Sequence, residues 1–153
     1  MTTTTGQKPG TRQRYVDAVM RRLLRSPLHG LVSKKIMLLE VTGRRSGRRY
    51  TIPIAYGRRG DDVLMGASKA TWLHNLTPDR TVAVTVRGRR HDMYPELVTD
   101  EDSVAELYQH IVEDNRAHAR FQQLRVEPDG SVNRDDLRRA LGRGLTLVRL
   151  RPA

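Results

Sequence analysis

Two apolar runs, Ile36-Met37-Leu38-Leu39-Glu40-Val41 and Ile52-Pro53-Ile54-Ala55-Tyr56, flank the stretch Thr42-Gly43-Arg44-Arg45-Ser46-Gly47-Arg48-Arg49-Tyr50-Thr51. Both runs carry residues that suit a pleated, half-buried surface, and the glycines between them suit a turn. The segment therefore reads as two neighbouring strands, about 35–42 and 49–57, joined by a hairpin. Pro53 has no amide to donate, which places the second strand at an edge or a bulge. Arg44, Arg45, Arg48 and Arg49 crowd the turn. Each guanidinium fork matches two oxygens of a phosphate or carboxylate, so the turn suits a bound anion. A solvated basic hairpin is the other reading this segment leaves open.

The strand pattern continues beyond it. Arg58-Arg59-Gly60-Asp61 reads as a turn into a strand at Asp62–Ala67, followed by Ser68-Lys69 and a short helical segment, Ala70 to Leu76, closed by Thr77-Pro78. Thr81–Val86 alternates as a strand, and Gly88 turns it into another at about His91 to Val98. From Asp100, a suitable N-cap, Val104, Leu107, Tyr108, Ile111 and Val112 share one helical face. Asn133 is placed to cap a helix over Arg134–Leu141, and Leu145–Leu150 reads as a last strand. Ahead of all this, Tyr15, Val19, Leu23 and Leu24 recur at helical spacing within Arg12–Leu31. The fold class expected is α+β: six or so mostly antiparallel strands forming a small barrel, with flanking helices. Residues 12–153 read as a single domain behind a disordered, threonine-rich tail at 1–11.

Composition narrows the partners. The chain has no Cys, so disulfides and thiolate chemistry are excluded. No apolar run approaches the roughly 20 residues that cross a bilayer, and the N-terminus lacks a signal-peptide core; a cytoplasmic location is expected. The net charge of +11 calls for an anionic partner. With one Trp and one Phe there is little to stack bases on, so no nucleic acid is expected.

Three landmarks follow one another at strand ends: Thr42-Gly43-Arg44-Arg45-Ser46-Gly47 with Thr51-x-Pro53 behind it, Ala67-Ser68-Lys69, and Trp72-x-x-Asn75-Leu76. In this order they resemble the deazaflavin (F420)-dependent nitroreductases of actinobacteria, within the flavin and deazaflavin oxidoreductases of split β-barrel fold. The resemblance covers about Leu38 to Val86. It implies an F420-dependent oxidoreductase that passes a hydride to a quinone, nitro or activated-alkene acceptor. Arg44 and Arg45 would hold the phosphate and polyglutamyl carboxylates of the cofactor tail, with Ser46 and Gly47 as the small residues of the turn. Lys69 would add a further cation, Ser68 would approach the deazaflavin ring, and Trp72 and Asn75 would wall it. Pro53 and Ala67 complete the cofactor-binding set. Such relatives often dimerise, so a homodimer is implied, and a quinone acceptor would bring the protein to a membrane surface. The sequence departs from the pattern at Tyr50, where a basic residue is usual, and in the short Lys69-Ala70-Thr71-Trp72 connection on the substrate side. The region after Asp100 is also longer than in those proteins.

Within that reading the cofactor supplies the hydride, and the protein orients the acceptor and provides a proton. Ser68 and Tyr108 are the candidate catalytic residues, with Tyr56 and Tyr94 as further hydroxyl donors. An FMN-dependent split-barrel oxidoreductase, or a non-catalytic module holding F420, haem or lipid, are the alternatives. His110, Asp114 and His118 recur every four residues and would share a helical face. No other segment offers an obvious further ligand, and a solvated polar face explains the spacing better, so no metal is expected.

Overall fold

The computed structural model describes residues 35–153; the expected tail at 1–11 and the helix at 12–31 lie outside the described residues. Seven strands make one antiparallel sheet. They are β1 (Ile36–Thr42), β2 (Arg49–Ala55), β3 (Gly57–Arg59), β4 (Asp62–Ser68), β5 (Val82–Val86), β6 (Arg89–Val98) and β7 (Leu145–Pro152), in the order β2-β1-β5-β6-β7-β4-β3. A 3-10 helix, Thr71–Asn75, follows β4. Among the described residues the α-helices are α1 (Glu101–Asp114), α2 (Arg116–Phe121) and α3 (Arg134–Gly142). The sheet curls into a half-barrel.

The strand expected over 49–57 is in fact two. β2 stops at Ala55, and Gly57-Arg58-Arg59, which looks like turn sequence, becomes a short strand against β4. Gly57 makes this possible by letting α1 lie close above it. A Cβ there would stand 2.6 Å from the Ile111 Cα and 3.1 Å from the His110 carbonyl. β2 is an edge strand, which accommodates Pro53 opposite Leu38. The helix ends follow their local signals. The Asp100 carboxylate accepts from the Ser103 amide at 3.0 Å, and the Asn133 carboxamide from the Asp136 amide at 3.0 Å.

The curled sheet buries both faces, and alternate residues divide between two cores. Leu64, Val98, Leu145 and Leu147 turn to the helices, where they meet Val104, Tyr108, Ile111 and Leu137. Val63, Met65, Val148 and Leu150 turn into the barrel with Met37, Leu39, Val84 and Met93. This explains the near-continuous apolar sequence of β4 and β7, because a strand covered on both faces loses its polar alternation.

Gly57 gives a direct test of the α1 contact. Gly57→Ala drives a methyl into helix backbone that cannot step aside, so a loss of about 1–3 kcal/mol is expected. Urea unfolding of the variant measures it.

Candidate functional site

One end of the half-barrel collects the sequence landmarks. The β1–β2 turn lies there because Thr42 pairs with Arg49, and β4 arrives with Ser68 paired to Leu145 at the start of β7. The 3-10 helix bridges the two. Within the turn, the Gly43 amide donates to the Arg48 carbonyl and the Gly47 amide to the Gly43 carbonyl, both at 2.8 Å. Gly47 has φ +67°, a left-handed conformation that glycine adopts without strain. The Ser46 hydroxyl accepts from the Arg48 amide at 3.3 Å. Its role is to shape the turn.

The turn is fastened from outside by Asn75. Its carboxamide oxygen accepts from the Arg44 amide at 3.0 Å, across 31 residues of sequence. Two of the three landmarks are thereby joined by a single hydrogen bond. Arg44, Arg45, Arg48 and Arg49 are all exposed, and among the described residues none has an ionic partner. Elsewhere several arginines are paired: Arg125 lies on Asp136 at 2.8 Å, Arg149 on Asp62 at 2.7 Å and Arg134 on Asp102 at 2.9 Å. Arg125 and its neighbours hold the Asp136 carboxyl well below the usual carboxylate range. Four guanidinium groups without an ionic partner among the described residues thus fall between Arg44 and Arg49.

Lys69 contributes from the other side. It has φ +51°, uncommon for a residue with a side chain, and its stem lies over Gly144. A Cβ at Gly144 would sit 3.2 Å from the Lys69 Cγ. Trp72 is half-buried on the barrel core, with Ala67, Ala70 and Ile52 as neighbours in that cluster. Pro53 is half-buried on the edge strand.

The two residues expected to be catalytic face the other way. Ser68 has the parity of Leu64 and Gly66, so it turns to the helix layer, and its hydroxyl donates to Gln122 Oε1 at 2.7 Å. Tyr108 does point inward, but it is fully buried and its hydroxyl meets His118 Nδ1. Burial holds the Tyr108 hydroxyl protonated well above its ordinary range and pushes the His118 imidazole down. The His118 ring lies against Gly66, where a Cβ would stand 3.0 Å from its Cε1. Tyr108 is thus a buried brace between α1, α2 and β4. Tyr56 is buried with its hydroxyl unpartnered among the described residues, and Tyr94 is exposed opposite Arg151 on β7.

The His110, Asp114 and His118 set is dispersed by a break at Asn115, whose φ of −150° ends α1. His110 pairs with Glu113, Asp114 accepts from the Arg58 amide at 2.7 Å, and His118 is in the core. A polar residue that sequence reasoning did not single out, His74, is exposed on the 3-10 helix between Trp72 and Asn75. Its only sequence signal was its place inside the Trp72-x-x-Asn75 landmark.

The model of the F420H(2)-dependent quinone reductase family matches residues 11–128. The chain belongs to that family, a class of F420-dependent oxidoreductases built on the split β-barrel. Comparison with curated protein sequences finds no match. Among solved structures it is similar to an F420-H2-dependent reductase, FDR-A, at 18% identity and TM-score 0.55, over 76% of this chain and 94% of that one. A structure described as a domain-swapped dimer also matches at 18% identity and TM-score 0.56, over 92% and 99% of the two chains. A FAD-binding protein from Mesorhizobium loti matches at 13% identity and TM-score 0.53, over 88% and 87%. At these identities the structures establish the shared split-barrel fold.

The deazaflavin cofactor of the family fits the residues present. A phosphate with a string of carboxylates needs cations that no protein carboxylate already neutralises, and the turn supplies them.

Two outcomes follow. Removing the fastening bond in Asn75→Ala should weaken F420 binding about fivefold, while Asn75→Asp, which keeps an acceptor for the Arg44 amide, should recover part of it. Fluorescence titration of F420 reads both. His118 gives a pH dependence. Its folded pKa lies below the ordinary 6.5, so the unfolded chain takes up the proton first. The stability this neutral histidine contributes is present above about pH 6.5 and is lost as pH falls through that value. Urea midpoints at pH 7.5 and 5.5 should differ more in wild type than in His118→Gln.

Proposed function

We propose that this protein binds reduced F420 by its tail at the Arg44–Gly47 turn and transfers a hydride to a quinone-type small molecule. The observation that supports this reading best is the Asn75-fastened turn, with its arginines unpaired among the described residues, at the barrel end shared by Lys69 and Trp72. When bound, the cofactor supplies the hydride. Arg44 and Arg45 hold the tail phosphate and carboxylates through charge-assisted hydrogen bonds, and Lys69 adds a third cation on the opposite flank. Asn75 fixes the turn in advance, so less ordering remains to be done when the ligand arrives. Trp72 and Ala67 wall the ring, and Pro53 stiffens the edge strand beneath. Ser68 acts through Gln122, holding the end of β4 on which Lys69 is mounted.

Residues 12–153 act as one domain in this reading. A homodimer is supported by the domain-swapped dimer among the similar structures, and a cytoplasmic site of action by the family's soluble-cofactor chemistry. No helix among the described residues is long and apolar enough to cross a membrane. A lipid-soluble quinone would then be met at a membrane surface; nitro compounds and activated alkenes are the other acceptors to assay.

Replacing Arg44 and Arg45 together by Ala should raise the F420 dissociation constant by roughly ten- to a hundredfold while changing the urea midpoint little, because both side chains are exposed. Unchanged affinity in this double variant would remove the site.

A further inference from the structure

Beyond the last layer of barrel core the interior is left open. The inward row of β7 runs Leu150, Val148, Thr146, and that of β6 includes Leu97, which pairs with Val148. Val148 and Leu150 are fully buried, but Thr146 is only half-buried and Leu97 is 40% exposed. Above them a cavity of about 280 Å³ opens, floored by Leu97, Gly144 and Thr146, roofed by Leu73 and His74, with Lys69 at its rim. No residue of the Arg44–Gly47 turn lines it, nor does Asn75. The 3-10 helix therefore separates two flanks: an arginine-rich one fastened by Asn75, and a largely apolar one overlooked by the His74 imidazole with Lys69 at its edge.

The geometry points to this barrel mouth as the acceptor site, taking a flat one- or two-ring quinone with His74 donating to a carbonyl oxygen. The inference rests on the F420H2-dependent reading and adds the substrate position and a catalytic residue to it. Barrel mouths are common ligand sites, and an apolar floor with a few polar groups suits a neutral aromatic ring better than it suits the anionic cofactor tail. Leu97 is an apolar side chain exposed at the mouth that a ring would cover. Gly144 has φ +101° and no side chain, which leaves room for the Lys69 stem at the rim.

The balance is that of a two-electron reduction. The quinone gains two electrons and one proton as the hydride from the reduced deazaflavin. A second proton passes from the His74 ring N–H to the remaining oxygen, both C=O groups become C–OH, and the oxidised deazaflavin is released. His74 is exposed and recovers its proton from solvent.

The test uses the full chain and 2-methyl-1,4-naphthoquinone. Trp72 is the only tryptophan in the protein and sits on the same 3-10 helix as His74, so quinone binding is read by its quenching, without F420 present. Thr146→Phe fills the floor; Leu97→Phe, at an exposed position, does so without burden on the core. Each should weaken quinone quenching at least tenfold and leave F420 affinity within about twofold. His74→Gln should leave both bindings in place and lower kcat by about a hundredfold, within the range of a lost general acid. Unchanged quenching in both Phe variants overturns the acceptor site, as does loss of F420 binding in them, which would assign the mouth to the cofactor. An unchanged kcat in His74→Gln overturns the role of the imidazole. A wild type that binds no F420 defeats the underlying reading alone, since the quenching still decides whether the mouth takes a quinone.

Discussion

Burial of both faces of β4 and β7 is the constraint on which the rest depends. A strand covered on each side must send alternate residues into different cores. In β4 that rule divides Met65 from Leu64 and Ala67 from Ser68. The same rule in β7 stacks Leu150 and Val148 in the barrel and leaves Thr146 as the first inward residue beyond the packed layers. The site is thus what remains where the inward rows run out of partners. The helix layer holds β4 in this setting: α1 rests on Gly57, and His118 of α2 lies against Gly66 while sharing a hydrogen bond with the Tyr108 hydroxyl. A one-residue slip of β4 would exchange the faces and carry Ser68 into the barrel.

Electrostatics adds the second element. Several arginines outside the turn are paired with carboxylates of α1, α3, β1, β4 and β6. At the turn the four guanidinium groups have no such partners among the described residues. A folded protein that keeps like charges crowded on a rigid turn forgoes some stability there. The proposed anionic ligand would give the arrangement its use. The Asn75 bond matters for the same reason, since it holds the turn shape against that repulsion.

Much of this was legible in the sequence, and the exceptions have clear causes. The hairpin, its glycines and its arginines are local features, readable from turn chemistry alone, and the caps at Asp100 and Asn133 likewise. β3 was hidden because Gly57-Arg58-Arg59 has no strand propensity and pairs only through its neighbours. The side to which Ser68 points is a matter of parity, which a motif does not carry. Tyr108 satisfied the helical periodicity and was correctly placed inward. Its partner lies past the break at Asn115, and a periodic reading running on through 118 put His118 on a shared polar face instead. His74 was inconspicuous as a single polar residue on a short helix, and only the open barrel mouth beneath it gives it a role.

Capture of the cofactor by its anionic tail is tested most directly by titrating the wild-type protein with F420 and with the same deazaflavin lacking the phosphate and glutamates, following ligand fluorescence. Binding through the tail predicts that F420 binds at least a hundredfold more tightly, with an advantage that shrinks as salt is raised. Equal affinity for the two, insensitive to salt, would contradict it.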